Sequence, residues 1–112
     1  MKKFLIYAMM GEKMCFLHAL MNALDLSESG HEVKIVFEGK SVTLPPVLAN
    51  ENNPLYKKAL EKGLIDGVCL ACARSMGVEE EIKKLELPLL ADMFNHAGVK
   101  PYTDKGYEVL TF

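Results

Sequence analysis

The chain has no tryptophan, a single arginine and no apolar run long enough to cross a bilayer. A spanning helix needs about 20 consecutive apolar residues, and the opening run stops after Met10. There is no G-x-G-x-x-G fingerprint, no Walker loop and no H-E-x-x-H pair. A Rossmann cofactor site or a P-loop is therefore not expected, and no cofactor or metal is assigned. Positive charge is not in excess: 13 Lys and Arg face 15 Asp and Glu, for a net charge of -2. That balance gives no long-range attraction to phosphate or anionic lipid, so neither nucleic acid nor membrane is an expected partner. Cysteine is scarce. Three residues, an odd number, do not suggest a disulfide scaffold, and the expected compartment is a reducing cytoplasm.

What is present fits one soluble domain spanning residues 1–112. Half of the residues are hydrophobic and a quarter are charged, and the length suits one core and not two. The start, "MKKFLIYAMMGEKM", has two lysines before an apolar run, as a signal peptide does. Glu12 and Lys13 end the run and no small-residue cleavage pattern follows, so it reads as a buried first strand.

"KFLIYAMM" is continuous, like a parallel strand covered on both faces. A helix is expected from Glu12 to Ser29, with Met14, Leu17, Met21 and Leu24 inward and Gly30 at its end. "HEVKIVFEG" alternates as a strand, nearer an edge. Residues 39–53 read mostly as loop with one short turn of structure, because Pro45 and Pro46 interrupt them. Asn53 and Pro54 start a helix that ends at Gly63. Leu64 to Leu70 is a third strand, followed by a helical turn over Ala71 to Met76. "VEEEIKKLE" is a helix with charges matched to its dipole. "LPLLADMF" is expected as a fourth strand, residues 98–106 as a short helix or turn, and "YEVLTF" as a final strand. The alternation predicts an α/β fold with a mostly parallel sheet and helices on both faces.

Such sheets bind ligands beyond the carboxyl ends of their strands, near a switch in strand order. The segments expected at that rim are Met9-Met10-Gly11, Glu38-Gly39, Cys69 to Cys72, and Asn95-His96. Met10, Gly11, Gly39, Ala71, Asn95 and His96 are the candidate binding residues. Cys69, Cys72 and Arg74 are the candidate chemical residues. Cys69 stands where a strand gives way to a helical turn, whose first amides stabilise a thiolate. Arg74, the only arginine, offers a fixed positive charge nearby. His96 has a side chain suited to moving a proton near the thiol.

The C-x-x-C spacing supports three chemistries. A dithiol redox pair would use Cys69 to attack and Cys72 to resolve. A zinc site would need four ligands; with one such pair, His18 and His96 would have to complete it. Sulfur transfer would carry a persulfide on one cysteine. Cys15 and His18 share a helix face and read as packing residues, and His31 reads as a surface cap. A non-enzymatic alternative is an oligomeric module that binds a small ligand or partner at the rim, with mostly structural cysteines.

Four segments together resemble the DsrE/DsrF-like family, which includes TusD-type sulfur carriers. They are "KFLIYAMMGEKMCFLHALMNAL", "GHEVKIVFEGKSV", "DGVCLACARSMGV" and "KGYEVLTF". In the third, Cys69 matches the family's strand-end cysteine and Gly77 its glycine, while Cys72 stands where alanine is common. The resemblance implies a three-layer, flavodoxin-like or doubly wound sheet of about five strands. It also implies assembly into dimers, trimers or hexamers. Cys69 would accept sulfur as a persulfide from one partner protein and pass it to another.

Overall fold

The computed structural model describes residues 1–112. In chain order the strands are β1 (Lys3–Ala8), β2 (Glu32–Phe37), β3 (Ile65–Cys69), β4 (Leu89–Leu90) and β5 (Glu108–Thr111). The helices are α1 (Lys13–Glu28), α2 (Leu44–Asn50), α3 (Pro54–Glu61), α4 (Leu70–Ser75), α5 (Glu79–Lys84) and α6 (Lys100–Thr103). A 3₁₀ turn covers Gly39–Thr43. All strand pairs are parallel, in one five-stranded sheet of order β4-β3-β2-β1-β5. The fold is a three-layer α/β sandwich. The first three connections all step in one direction across the sheet, and α1, α2, α3 and α5 pack on one another. The return to β5, on the far side of β1, steps the other way. Right-handed crossover then carries α6 to the opposite face.

The core lies on both faces of the sheet, because neighbouring strand residues point to opposite sides and both are covered. Leu5, Ile6, Ile35, Val36, Phe37 and Val68 are fully covered. The Phe16 ring of α1 meets Phe37 of β2 with centroids 4.8 Å apart. The buried face of α1 is Phe16, Ala19, Leu20, Ala23 and Leu24. It is rotated from the expected stripe, and Met14 and Met21 are exposed. Ala19 and Ala23 let the helix approach the sheet closely, and the longer methionines are left on its flanks. At the far end, Gly30 takes a φ of +91° and closes the helix as expected.

Three other expectations are corrected. Residues 44–50, read as loop, are helical, because Pro45 and Pro46 fall in the first turn of α2. A first-turn amide has no helical acceptor, so proline loses nothing there. Strand β2 is the middle strand, not near an edge. Its polar alternates, Glu32 and Lys34, lie at its amino-terminal end, and Val36 is buried. The fourth strand is only Leu89–Leu90 instead of residues 87–94. The chain then folds back in a tight turn, with Met93 and His96 exchanging backbone hydrogen bonds of 2.9 and 2.7 Å.

Strand β4 approaches β3 closely at Gly67. A Cβ there would lie 2.6 Å from Leu90 Cγ and 2.9 Å from the Pro88 carbonyl oxygen. Gly67→Ala is expected to displace β4 and cost about 1–3 kcal/mol, the usual range for overpacking. An unchanged urea midpoint would show that β4 yields freely.

On α3, Asn53 Oδ1 accepts from the amides of Leu55 and Tyr56 at 3.0 and 3.1 Å. The buried Tyr56 hydroxyl has no protein hydrogen-bond partner, and burial pushes its pKa from 10.0 to about 12. The folded state therefore keeps this proton where the unfolded chain has lost it. Stability from this group is intact below pH 10 and is lost as pH rises from about 10 to about 12. Tyr56→Phe is expected to leave neutral-pH stability unchanged or raised by about 1 kcal/mol. It should also flatten the alkaline decline, read by urea melts across that window.

Candidate functional site

Five side chains from four segments converge at the carboxyl end of β3: Tyr7, Glu38, Cys69, Cys72 and His96. Each is placed by a local backbone feature. Glu38 follows β2, and its amide extends the ladder by bonding the Ala8 carbonyl at 2.9 Å. Gly39 then turns the chain at a φ of +59°. That turn aims its own amide back at Glu38 Oε1, 3.1 Å away. A side chain at Gly39 would also crowd the Met9 carbonyl oxygen at 3.1 Å.

Cys69 ends β3 and caps α4, with its Sγ accepting from the Cys72 amide at 3.4 Å. At six residues α4 is too short to offer a full helix dipole; it brings one amide. His96 closes the tight turn whose central residues, Phe94 and Asn95, have φ of +49° and +69°. Two positive φ values in sequence are the pattern of a type I′ turn. Asparagine tolerates that conformation, whereas phenylalanine is strained in it. Two bonds hold the turn in place. The Asn95 carbonyl accepts from the Ala71 amide at 3.0 Å, and the Ala97 carbonyl accepts from the Tyr7 hydroxyl at 2.6 Å.

The result is a tight quartet. His96 Nδ1 lies 3.3 Å from Cys69 Sγ, 3.5 Å from Cys72 Sγ and 3.3 Å from Glu38 Oε1. Cys72 donates its thiol proton to Glu38 Oε1 at 2.8 Å. Tyr7 Oη lies 3.3 Å from the other carboxylate oxygen. Cys69 and Glu38 are buried, Cys72 is half-buried, and the His96 side chain is 42% exposed.

Burial alone would push the Glu38 pKa up. Hydrogen bonds from Cys72, the Gly39 amide and His96 outweigh it, and the carboxyl sits below its ordinary value. Burial and then the Glu38 carboxylate push the Cys72 thiol up to about 12. Burial and Glu38 also raise the Tyr7 phenol. At neutral pH Glu38 is ionised and Cys72 holds its proton.

The structure brings Cys69, Cys72 and His96 together at the rim, and Ala71 and Asn95 are joined there by a backbone hydrogen bond. Met10, Gly11 and Gly39 line an adjoining open depression of about 690 Å³ with Met9, Lys40 and Met76. Arg74 does not join the site. Its Nε bonds Glu79 Oε1 at 2.9 Å and its side chain is largely exposed. Five residues past Cys69, it has turned toward the start of α5. The charge beside the thiols is therefore negative, from Glu38. His18 is exposed on α1 and Cys15 reaches only Glu12.

The cluster sits over the ends of β2 and β3, not in the crevice between β1 and β5 where the strand order reverses. There the Phe112 carbonyl takes up the amides of Met9 and Met10 at 2.7 and 3.2 Å. Sequence reasoning placed Glu38 at the rim without giving it a role, and it missed Tyr7. The signal for Glu38 was a carboxylate directly after "IVF", at a strand's carboxyl end. Nothing local marked Tyr7.

No protein-family model matches the chain, and no solved structure matches it. It is similar to two archaeal proteins. An uncharacterized protein of Archaeoglobus fulgidus is 39% identical over 44 residues, covering 39% of this chain and 72% of that one. The uncharacterized protein MJ0733 of Methanocaldococcus jannaschii is 44% identical over 95 residues, or 84% of this chain. Since that alignment also takes in 77% of the relative, the chain belongs to the same family as MJ0733.

Proposed function

We propose that the protein is a sulfur carrier of the DsrE/DsrF-like kind, with Cys69 as the persulfide-bearing residue. The observation that carries this reading is the inequivalence of the two thiols. Both thiols lie near the His96 imidazole, at 3.3 and 3.5 Å, but Cys69 Sγ is the one that receives an amide hydrogen bond. Cys72 instead spends its proton on Glu38. The Cys69 thiolate would attack the outer sulfur of a donor persulfide. A bond forms between Cys69 Sγ and that sulfur, the donor's own S–S bond breaks, the donor leaves as a thiolate, and the proton released from Cys69 passes through His96 to it. Cys69 is left as a persulfide. Cys72 can later attack the inner sulfur, forming a Cys69–Cys72 disulfide and expelling hydrosulfide.

The donor and acceptor would be proteins docking at the rim in a reducing cytoplasm. Exposed Met9, Met10 and Met76 beside the site give such a partner, or a second copy of the chain, apolar surface to cover.

The test is intact-mass measurement after exposure to a small-molecule persulfide. Wild type should gain one sulfur atom, mapped by digestion to Cys69, and Cys69→Ser should gain none while keeping its far-ultraviolet dichroism. Equal sulfur on Cys69→Ser would overturn the reading. A Cys69–Cys72 disulfide in wild type together with no sulfur gain on Cys72→Ser, which cannot discharge a persulfide, would replace it with dithiol redox chemistry.

A further inference from the structure

We propose that Cys69, Cys72, His96 and Glu38 form a binding site for a thiophilic divalent metal ion of the zinc class. Sulfur loading and metal binding would then compete for Cys69, a consequence that rests on the carrier reading above.

The geometry is close to that of a metal-bound quartet. The four donor atoms lie within 4.8 Å of one another. Zinc bonds of about 2.3 Å to sulfur and about 2.0–2.2 Å to nitrogen and oxygen give tetrahedral edges of about 3.3–3.8 Å. Four of the six edges are 3.3 Å from His96 to Cys69, 3.5 Å from His96 to Cys72, 3.3 Å from His96 to Glu38 and 2.8 Å from Cys72 to Glu38, and the two that join Cys69 to Cys72 and to Glu38 lie within 4.8 Å and would shorten on binding. Three of the four are within a few tenths of an ångström of an ideal edge. The fourth is shortened by the thiol proton shared between Cys72 and Glu38, the proton a metal would displace.

Charge points the same way. With both thiols ionised, the quartet would hold three negative charges around one imidazole. Arg74 is paired with Glu79, and the only ion pair of Glu38 is with His96. A divalent cation at the centre would cut those three negative charges to a net of one, which no neighbouring side chain does. Two thiolates and an imidazole select a soft or borderline ion over magnesium or calcium.

The surroundings orient the ligands as metal sites require. The Cys72 amide bonds Cys69 Sγ, the Gly39 amide bonds Glu38 Oε1, and Tyr7 lies against Glu38 Oε2. Tyr7 also bonds the carbonyl next to His96 and so steadies two ligands. The half-exposed His96 gives the ion a way in.

Metal-free protein, prepared by chelator dialysis under reducing conditions, is titrated with cobalt(II). One ion per chain should bind, with thiolate-to-cobalt charge-transfer absorption, and zinc should displace it. Cys72→Ser and His96→Asn should each weaken cobalt binding by at least about a hundredfold, and Tyr7→Phe by roughly tenfold. A readout on wild type alone guards against variants that fail to fold. Zinc should protect Cys69 and Cys72, but not Cys15, from alkylation. Absent charge-transfer absorption, or alkylation rates unmoved by zinc, would overturn the metal site.

Zinc-loaded wild type should also gain no sulfur until chelator is added, and equal loading would overturn the competition. Cobalt binding to wild type without sulfur gain on either metal-free wild type or metal-free Cys72→Ser leaves the metal site standing and removes the carrier reading. Sulfur gain without cobalt binding does the reverse.

Discussion

Cys72→Ser is expected to prolong a persulfide on Cys69 by at least about tenfold, because it removes the one thiol positioned to discharge it. The second cysteine follows Cys69 by three residues, and its amide already touches Cys69 Sγ at 3.4 Å. An attacking group held this way acts at an effective concentration far above that of a thiol in solution. Attack on the inner sulfur would expel hydrosulfide and close the C-x-x-C pair as a disulfide. In the resting site Glu38 restrains the attack by accepting a hydrogen bond from the Cys72 thiol at 2.8 Å, which keeps that thiol protonated. A serine keeps a hydrogen bond to Glu38 and cannot attack. The measurement is the decay of the sulfur-bearing mass species with time, alongside hydrosulfide release. If the variant lost its sulfur as fast as wild type, Cys72 would have no part in discharge and would be a packing residue or a metal ligand.

Phe37→Ala is expected to be the most damaging single change to the fold, at about 3–5 kcal/mol. Phe37 is completely buried in the middle strand and packs on Phe16 with ring centroids 4.8 Å apart. Alanine removes a ring that joins α1 to the sheet, and the surrounding parallel strands cannot close fully on the space. Small domains are stable by only about 5–15 kcal/mol, so the loss is a large share of the total. It should lower the thermal midpoint by roughly 15 °C or more. Urea melts with an unchanged slope would attribute the shift to stability alone. A loss under about 1 kcal/mol would mean that the α1 interface is held elsewhere. Because Glu38 is the next residue, a destabilised β2 end should also loosen the site, visible as faster alkylation of Cys69.

Sequence pattern alone identified β1, β2, β3 and β5, because their residues are covered on one or both faces and read as runs or alternations. It also located α1, α3 and α5 from caps and charge order. It failed at α2, where proline looks the same in a loop as in a first helical turn. It failed at β4 as well, where "LPLLADMF" is apolar enough for a strand but pairing with β3 stops after two residues. The inward face of α1 was read in part: Leu24 is buried and Leu17 packs against the core, but Met14 and Met21 are exposed because small alanines, not methionines, allow close approach to the sheet.

The site divides along the same line. Cys69, Cys72 and His96 could be placed at the rim because strand ends and the C-x-x-C spacing are local properties. Which charge would meet the thiols was not local. From the sequence, Arg74 is five residues from Cys69 and Glu38 is thirty-one away. In the fold β2 lies beside β3, so Glu38 comes up against Cys72, while α4 has carried Arg74 round to Glu79. The sequence by itself determined an α/β domain with thiols at a strand end. Only the tertiary structure made that end a four-donor pocket with a buried carboxylate, because strand order decides which distant residues become neighbours.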